Sequence, residues 1–220
     1  MRIRRKKWAA DELANCPFYI NDPNINYNKW NQLFNNNNPI HIELGCGKGN
    51  FISKLASNNL DINYIAIDMI EAMLGLSKRN IENEYNSNNI SFSNIYLIRS
   101  NIEYINKVFG QEDQIERIYI NFCNPWPRGK HNKRRLTHTR QLEQYKIFMK
   151  NNAEIYFKTD DDFLFEDSIN YLEKSNFVII QKTYDLEKED IFKGNIETEH
   201  EKMFKEKGIK IKALIAKLNF

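Results

Sequence analysis

Short apolar runs that each end in a polar residue alternate along this chain with segments of helical periodicity. That alternation limits the fold more than any other feature. Residues 40–44, 63–67, 95–98, 115–122 and 153–157 read as strands, and 50–57, 71–83, 136–149 and 163–173 read as helices. Strands alternating with helices imply βαβ units and a mainly parallel sheet with helices on both faces. Right-handed crossovers then bring the strand ends to one edge, where open sheets of this kind bind ligands. Those ends carry Glu43 and Gly45, then Asp68, Asn101, Asn124 and Asp160. Polar residues at successive strand ends are hard to explain by loop composition alone. Residues 177–183 and 211–218 read as closing strands with a short helix over 199–207 between them. They leave no room for a long crossover helix, so the final strand is expected to be antiparallel.

The first strand runs into Glu43-Leu44-Gly45-Cys46-Gly47-Lys48-Gly49 and then a helix. Glycines at Gly45, Gly47 and Gly49 permit positive φ and close approach of backbone to a ligand. Asp68, ending the next strand, can accept both hydroxyls of a ribose. Two cofactor classes share this layout. A dinucleotide sets its pyrophosphate on the helix N-terminus and favours G-x-G-x-x-G, and Glu43 would repel that phosphate. S-adenosylmethionine has no phosphate and carries an ammonium and a sulfonium, which Glu43 attracts. A tight turn holding no ligand is the bland alternative. Asn101 can either read adenine edges or simply cap a helix.

The second distinctive stretch is Asn121-Phe122-Cys123-Asn124-Pro125-Trp126-Pro127. Each proline fixes its own φ and biases the preceding residue toward extended geometry, giving a stiff wall beside the strand end. Trp126 can stack on a flat substrate or prop the loop from within. Behind it, residues 128–140 hold six Lys or Arg and no acid, a phosphate-binding composition. The net charge of +3 says little by itself; the distribution says more. Arg2, Arg4, Arg5, Lys6 and Lys7 form a basic N-terminal arm over residues 1–14, and a third cluster at 202–212 is diluted by Glu201 and Glu206. Cys16, Cys46 and Cys123 are odd in number with no CxxC, which argues against a disulfide framework and a zinc site. No apolar run approaches the roughly 20 residues that span a bilayer, and no signal-peptide core follows the basic start, so the expected compartment is the cytoplasm. Asp161 and Asp162 read as helix-start residues, and no metal is expected.

Taken together, these motifs make the chain resemble the bacterial tRNA (guanine-N7-)-methyltransferases over almost its full length. The resemblance rests on Met1-Arg2-Ile3-Arg4 with Trp8-Ala9, on Glu43 to Phe51, on Tyr64-Ile65-Ala66-Ile67-Asp68 and on Asn121 to Pro127. His131, Lys133-Arg134-Arg135-Leu136-Thr137, Phe157-Lys158-Thr159-Asp160 and Thr198-Glu199-His200-Glu201 complete it. The glycine motif is shared by many methyltransferases, whereas the Pro-Trp-Pro loop and the late T-E-x-E element are more specific. The resemblance implies a single Rossmann-like methyltransferase domain over residues 1–220 with a seven-stranded sheet. It implies S-adenosylmethionine bound by Glu43, Gly45, Gly47, Gly49, Asp68, Asn101 and Asn124. It further implies Arg128, Asp160, Thr198, Glu199, His200 and Glu201 around the substrate nucleotide, and Lys130, His131, Lys133, Arg134 and Arg135 on the tRNA backbone. The acceptor would be guanosine 46 of the tRNA variable loop.

The family often has Asp where this chain has Asn124, Lys at Arg128, and acids at Asn101. Guanine N7 already carries an in-plane lone pair, so its methylation needs no general base. Asn124 is therefore expected to orient rather than abstract, with Asp160 holding the base as positive charge grows on it. Methylation of another substrate on the same fold, and RNA binding without turnover, are the competing readings. The glycines with Glu43 and Asp68 weigh against the last, because a pure binding module needs none of them.

Overall fold

The computed structural model describes residues 6–219. Arg2, Arg4 and Arg5 of the basic arm, and the Met1-Arg2-Ile3-Arg4 motif, lie outside the described residues. The strands, in chain order, are β1 (Tyr19–Ile20), β2 (Ile40–Leu44), β3 (Asn63–Asp68), β4 (Ile95–Arg99), β5 (Ile115–Asn121), β6 (Met149–Thr159), β7 (Phe177–Thr183) and β8 (Lys212–Leu218). The helices are α1 (Lys7–Ala14), α2 (Trp30–Phe34), α3 (Asn50–Ser57), α4 (Glu71–Ser87), α5 (Thr139–Phe148), α6 (Asp162–Lys174) and α7 (Glu199–Glu206).

All strands join one sheet in the order β1-β4-β3-β2-β5-β6-β8-β7. Pairings from β1 through β6 are parallel, and β8 runs antiparallel between β6 and β7. The expected antiparallel final strand is present. The sheet has eight strands rather than seven because two residues before the first expected strand, Tyr19 and Ile20, pair with Leu97 and Ile98 at its edge.

Period-two alternation assigns side chains to the two faces. Ile40, Ile42, Leu44, Ile65, Ile67, Ile118, Ile120, Ile155 and Phe157 pack into the core beneath α2, α5 and α6. Tyr64, Ala66, Leu97 and Tyr119 face the core shared with α3 and α4. Glu43 falls between Ile42 and Leu44 and so takes the α3 face, level with Tyr119 on the neighbouring strand.

The N-terminal segment departs from the expectation of an arm running to residue 14. Residues Lys7–Ala14 form α1, which packs on α4. Gly75 makes that approach possible, since a Cβ there would stand 2.8 Å from the Ala9 Cβ and 2.9 Å from the Trp8 ring. Arg79 lies over the Trp8 ring at 3.7 Å and pairs with Glu12. α5 begins at Thr139 rather than at 136, and the Thr137 hydroxyl is buried against the Ser168 hydroxyl at 2.6 Å. His138 caps the helix, its ring accepting from the Arg140 N–H at 3.1 Å. No helix of the described residues is long and apolar enough to cross a membrane.

Candidate active site

The carboxyl ends of the parallel strands frame two clefts of about 480 and 650 Å3 that share Gly45, Asn121 and Phe122. The smaller brings Glu43, Gly47 and Gly49 against Thr198, Glu199 and His200 at the start of α7. The larger runs past Asp68, Asn101, Asn124, Trp126 and Arg134.

The glycine turn is built by backbone bonds. Gly45 and Cys46 both donate to Ile67 O (2.8 and 2.9 Å), drawing the turn over β3. Gly45, Gly47 and Gly49 have φ of +80°, +56° and +74°. A Cβ at Gly45 or Gly47 would meet nothing within 4 Å, so both face open space, whereas Gly49 abuts Ser77 of α4. Asp68 holds the turn from below, accepting from Gly47 N–H at 3.0 Å and Ile70 N–H at 2.8 Å.

Glu43 is 3% exposed. Asn121 donates to its Oε1 at 3.0 Å, and its Oε2 is buried without a partner. Burial pushes its carboxyl up to about 7, against the pull of the Asn121 donor and the Lys158 charge. A carboxyl oxygen with no protein partner, on a residue that lines the smaller cleft, is a place prepared for a cation or a hydrogen-bond donor.

Asn101 and Asn124 each spend their carbonyl oxygen on the backbone. Asn101 caps the 3-10 turn after β4, accepting from Glu103 N–H at 3.0 Å. Asn124 accepts from Trp126 N–H at 3.0 Å, closing the Pro-Trp-Pro turn on itself. Each keeps its side-chain NH2 and a second carbonyl lone pair for a ligand. Phe122 has φ +51°, a costly conformation for an aromatic residue. Its N–H donates to Lys158 O at 2.9 Å, and its ring stacks on His200 and Phe204 at 5.7 and 5.8 Å.

The basic segment divides. Arg128, Lys130, Lys133 and Arg134 are exposed, and His131 is half-buried beside Trp126. Arg134 sits over the Trp126 ring at 5.1 Å, so the indole is both a loop prop and a cation platform. Arg135 corrects its grouping with the backbone contacts. It is 4% exposed, pairs with Asp167 and donates to Pro125 O at 2.7 Å, bracing the loop from behind.

The late element divides in the same way. Glu199 reaches across the glycine turn to Lys48 at 2.9 Å and to the Asn50 amide. Glu201 does not face a substrate. It is 1% exposed, paired with Lys158 at 3.0 Å and locked into a capping box with Thr198. Thr198 accordingly caps α7 through its hydroxyl while lining the cleft. Asp160 is half-buried at the end of β6, outside both clefts, and its carbonyl accepts from Lys212 at 3.0 Å. Asp161 caps α6 by accepting from Leu164 N–H at 2.7 Å. Among the described residues, no group of three or more His, Cys, Asp or Glu could hold a metal ion.

Sequence reasoning overlooked Lys48, Asn121, Phe122 and Lys158. Asn121 and Lys158 had a visible signal: each directly follows a three-residue apolar run, 118–120 and 155–157, at the carboxyl end of its strand, on the face that carries Glu43.

Comparison with known proteins follows the same lines. The profile of a family described as "Putative methyltransferase" matches residues 37–214. A tRNA (guanine-N(7)-)-methyltransferase of Clostridium botulinum (strain Eklund 17B / Type B) is 57% identical over 216 residues, covering 98% of each chain. One of Ruminiclostridium cellulolyticum is 54% identical, covering 98% of this chain and 92% of the relative. Among solved structures, the 16S rRNA methyltransferase KamB superposes with a TM-score of 0.64 at 13% identity, covering 87% of this chain and 93% of that one, a likeness of fold.

Proposed function

The chain belongs to the tRNA (guanine-N(7)-)-methyltransferases, and from that premise we propose that its joined clefts hold S-adenosylmethionine and a tRNA guanine for methyl transfer to N7. The observation that carries the reading is Glu43, a buried carboxylate on the smaller cleft whose Oε2 has no partner. The residues present fit the donor. Its ammonium suits Glu43, Gly45 and Gly47 leave open backbone for close approach, and Asp68 stands ready for the ribose with lone pairs its backbone donors do not use. When bound, S-adenosylmethionine supplies a methyl group activated by its sulfonium.

What remains for the protein is alignment. Guanine N7 offers its in-plane lone pair without deprotonation, so the site needs no general base. Positioning alone can lower a barrier by several kcal/mol. Asn124 is held by its own turn with its amide free to donate, a role consistent with orienting rather than abstracting. As positive charge grows on the base, carboxylates near its N1–H and N2 amino group stabilise it. Glu201 is committed to Lys158 and Asp160 lies outside both clefts, which leaves Glu199 on the cleft wall for that task. Arg128, Lys130, His131, Lys133 and Arg134 take the tRNA backbone, with Trp126 stiffening the surface they share.

The acceptor is guanosine 46 in the variable loop, in the cytoplasm where tRNA is modified. The test is incubation of purified protein with unmodified tRNA and methyl-labelled S-adenosylmethionine, followed by nucleoside mass spectrometry and mapping of the modified position. The expected product is 7-methylguanosine at that position. Another methylated nucleoside would overturn the acceptor, and S-adenosylmethionine binding with no transfer to tRNA would move the search to other substrates.

A further inference from the structure

Lys158 is 3% exposed, in the last turn of pleat of β6, on the face that carries Glu43. An ammonium has three N–H donors, and here each has a protein acceptor: Glu201 Oε2 at 3.0 Å, Ile196 O at 3.1 Å and Asn195 Oδ1. No donor is left over for a ligand. All three acceptors lie in residues 195–201, the stretch that carries Thr198, Glu199 and His200 to the rim of the cleft. The acceptors are themselves tied together. The Asn195 amide donates to Glu201 Oε1, and Thr198 N–H donates to Glu201 Oε2 at 3.3 Å.

The sheet fixes where this cation stands. Lys158 is in register with Asn121 on β5, and Asn121 donates to Glu43. A polar row, Glu43–Asn121–Lys158–Glu201, thus crosses the edge from the glycine turn to α7. The outer contacts of α7, Glu199 with Lys48 and Asn50, are solvent-exposed and weak by comparison.

We propose that Lys158 is a positioning residue of the transfer reaction, fixing residues 195–201 so that Thr198, Glu199 and His200 form the acceptor wall of the cleft opposite the glycine turn. It touches neither donor nor base. It acts through the segment it holds, and the inference rests on the methyl-transfer reading of the cleft. A displacement of about 1 Å in such a wall is enough to cost about 100-fold in rate, whereas the glycine turn keeps its own bonds to Ile67 and Asp68.

A single substitution would leave a buried partner charge, so the test uses Lys158→Met/Glu201→Met, which removes both, together with Asn195→Ala, which deletes one acceptor in a loop. Both are compared with wild type for thermal stability, S-adenosylmethionine binding by calorimetry, hydrogen exchange of residues 195–206, and kcat and KM for tRNA. The expected result for the double variant is donor affinity within about threefold of wild type, faster exchange confined to 195–206, and kcat/KM for tRNA lowered about 100-fold. Asn195→Ala is expected to show the same pattern at about tenfold. Folded variants that keep kcat/KM within about threefold of wild type would overturn the proposal. So would a loss of donor affinity equal to the loss in kcat/KM, which is the mark of a general structural role. Wild type run alongside separates the two layers: without 7-methylguanosine from wild type the functional reading falls, and with it only the placement of Lys158 is at issue.

Discussion

Replacing Glu43 with Gln should stabilise the ligand-free protein, and by an amount that grows with pH. Burial raises the Glu43 carboxyl from 4.5 to about 7. Between those values the folded state holds a proton that the unfolded state has released. Stability changes with pH as the protons bound unfolded minus those bound folded, a negative difference here, so the wild type loses stability as pH rises from 4.5 toward 7. The loss is complete above the folded value. At about 1.4 kcal/mol per unit, the cost of ionising Glu43 is about 1 kcal/mol at pH 5 and about 3 kcal/mol at pH 8. Gln has nearly the shape of the protonated acid, and its oxygen can still accept from Asn121. Glu43→Gln should therefore gain about 1 kcal/mol at pH 5 and about 3 kcal/mol at pH 8, the latter equivalent to about 6–12 °C in Tm for a chain of this size. Urea unfolding of both proteins without ligand at the two pH values measures the difference. The same variant should bind S-adenosylmethionine at least about tenfold more weakly, because a charge-assisted contact is lost. A stability difference that does not change with pH would refute the reasoning, since Glu43 would then be no more costly to ionise folded than unfolded.

Other substitutions probe the rest of the site. Lys133→Ala combined with Arg134→Ala should flatten the dependence of log affinity for tRNA on log salt by about two units, whereas Arg135→Ala should leave that slope alone and lower Tm, because its guanidinium holds Pro125 and Asp167. Gly49→Ala places a Cβ 2.1 Å from the Ser77 hydroxyl at φ +74°, so differential scanning fluorimetry should show a loss of more than about 1–2 kcal/mol, the left-handed conformation alone costing that much. Asn124→Asp preserves the acceptor for Trp126 N–H, and turnover measured across pH should stay within about tenfold of wild type with no new carboxylate inflection; a rise of orders of magnitude would make that position a base.

The parallel core was legible because its strands alternate with helices in two distinct periods, and the glycine turn because its position after β2 matched its composition. The edge strand β1 carries two residues and no period at all, so only its partner β4 reveals it. α1 buries just Ala9 and Leu13 among basic and acidic neighbours, and it docks through the missing side chain of a glycine some sixty residues away, Gly75. At the site, the sequence marked the right motifs without resolving them by side chain. Within Thr198-Glu199-His200-Glu201, helical geometry turns Glu199 and His200 to the cleft and Glu201 to the interior. Within the basic run, the 3-10 turn over Gly129–Arg134 leaves Arg134 outward, and the extended residue that ends it, Arg135, points inward. Such divisions depend on partners, here Lys158 and Asp167, that lie 43 and 32 residues away.

The antiparallel placement of β8 between β6 and β7 has a consequence for how the molecule is assembled. Glycine turn, Asp68 and Pro-Trp-Pro loop belong to strands that emerge early from the ribosome and neighbour one another in the sheet. Glu199 meets its partners Lys48 and Asn50 across 151 and 149 residues of chain, and β7 has no neighbour in the sheet until residues 212–218 have been made. Contacts of such long range close late in folding. A growing chain can thus shape the glycine turn and its neighbouring strand ends well before the segment at 195–206 that faces them is anchored, and that anchoring is complete only with the last strand.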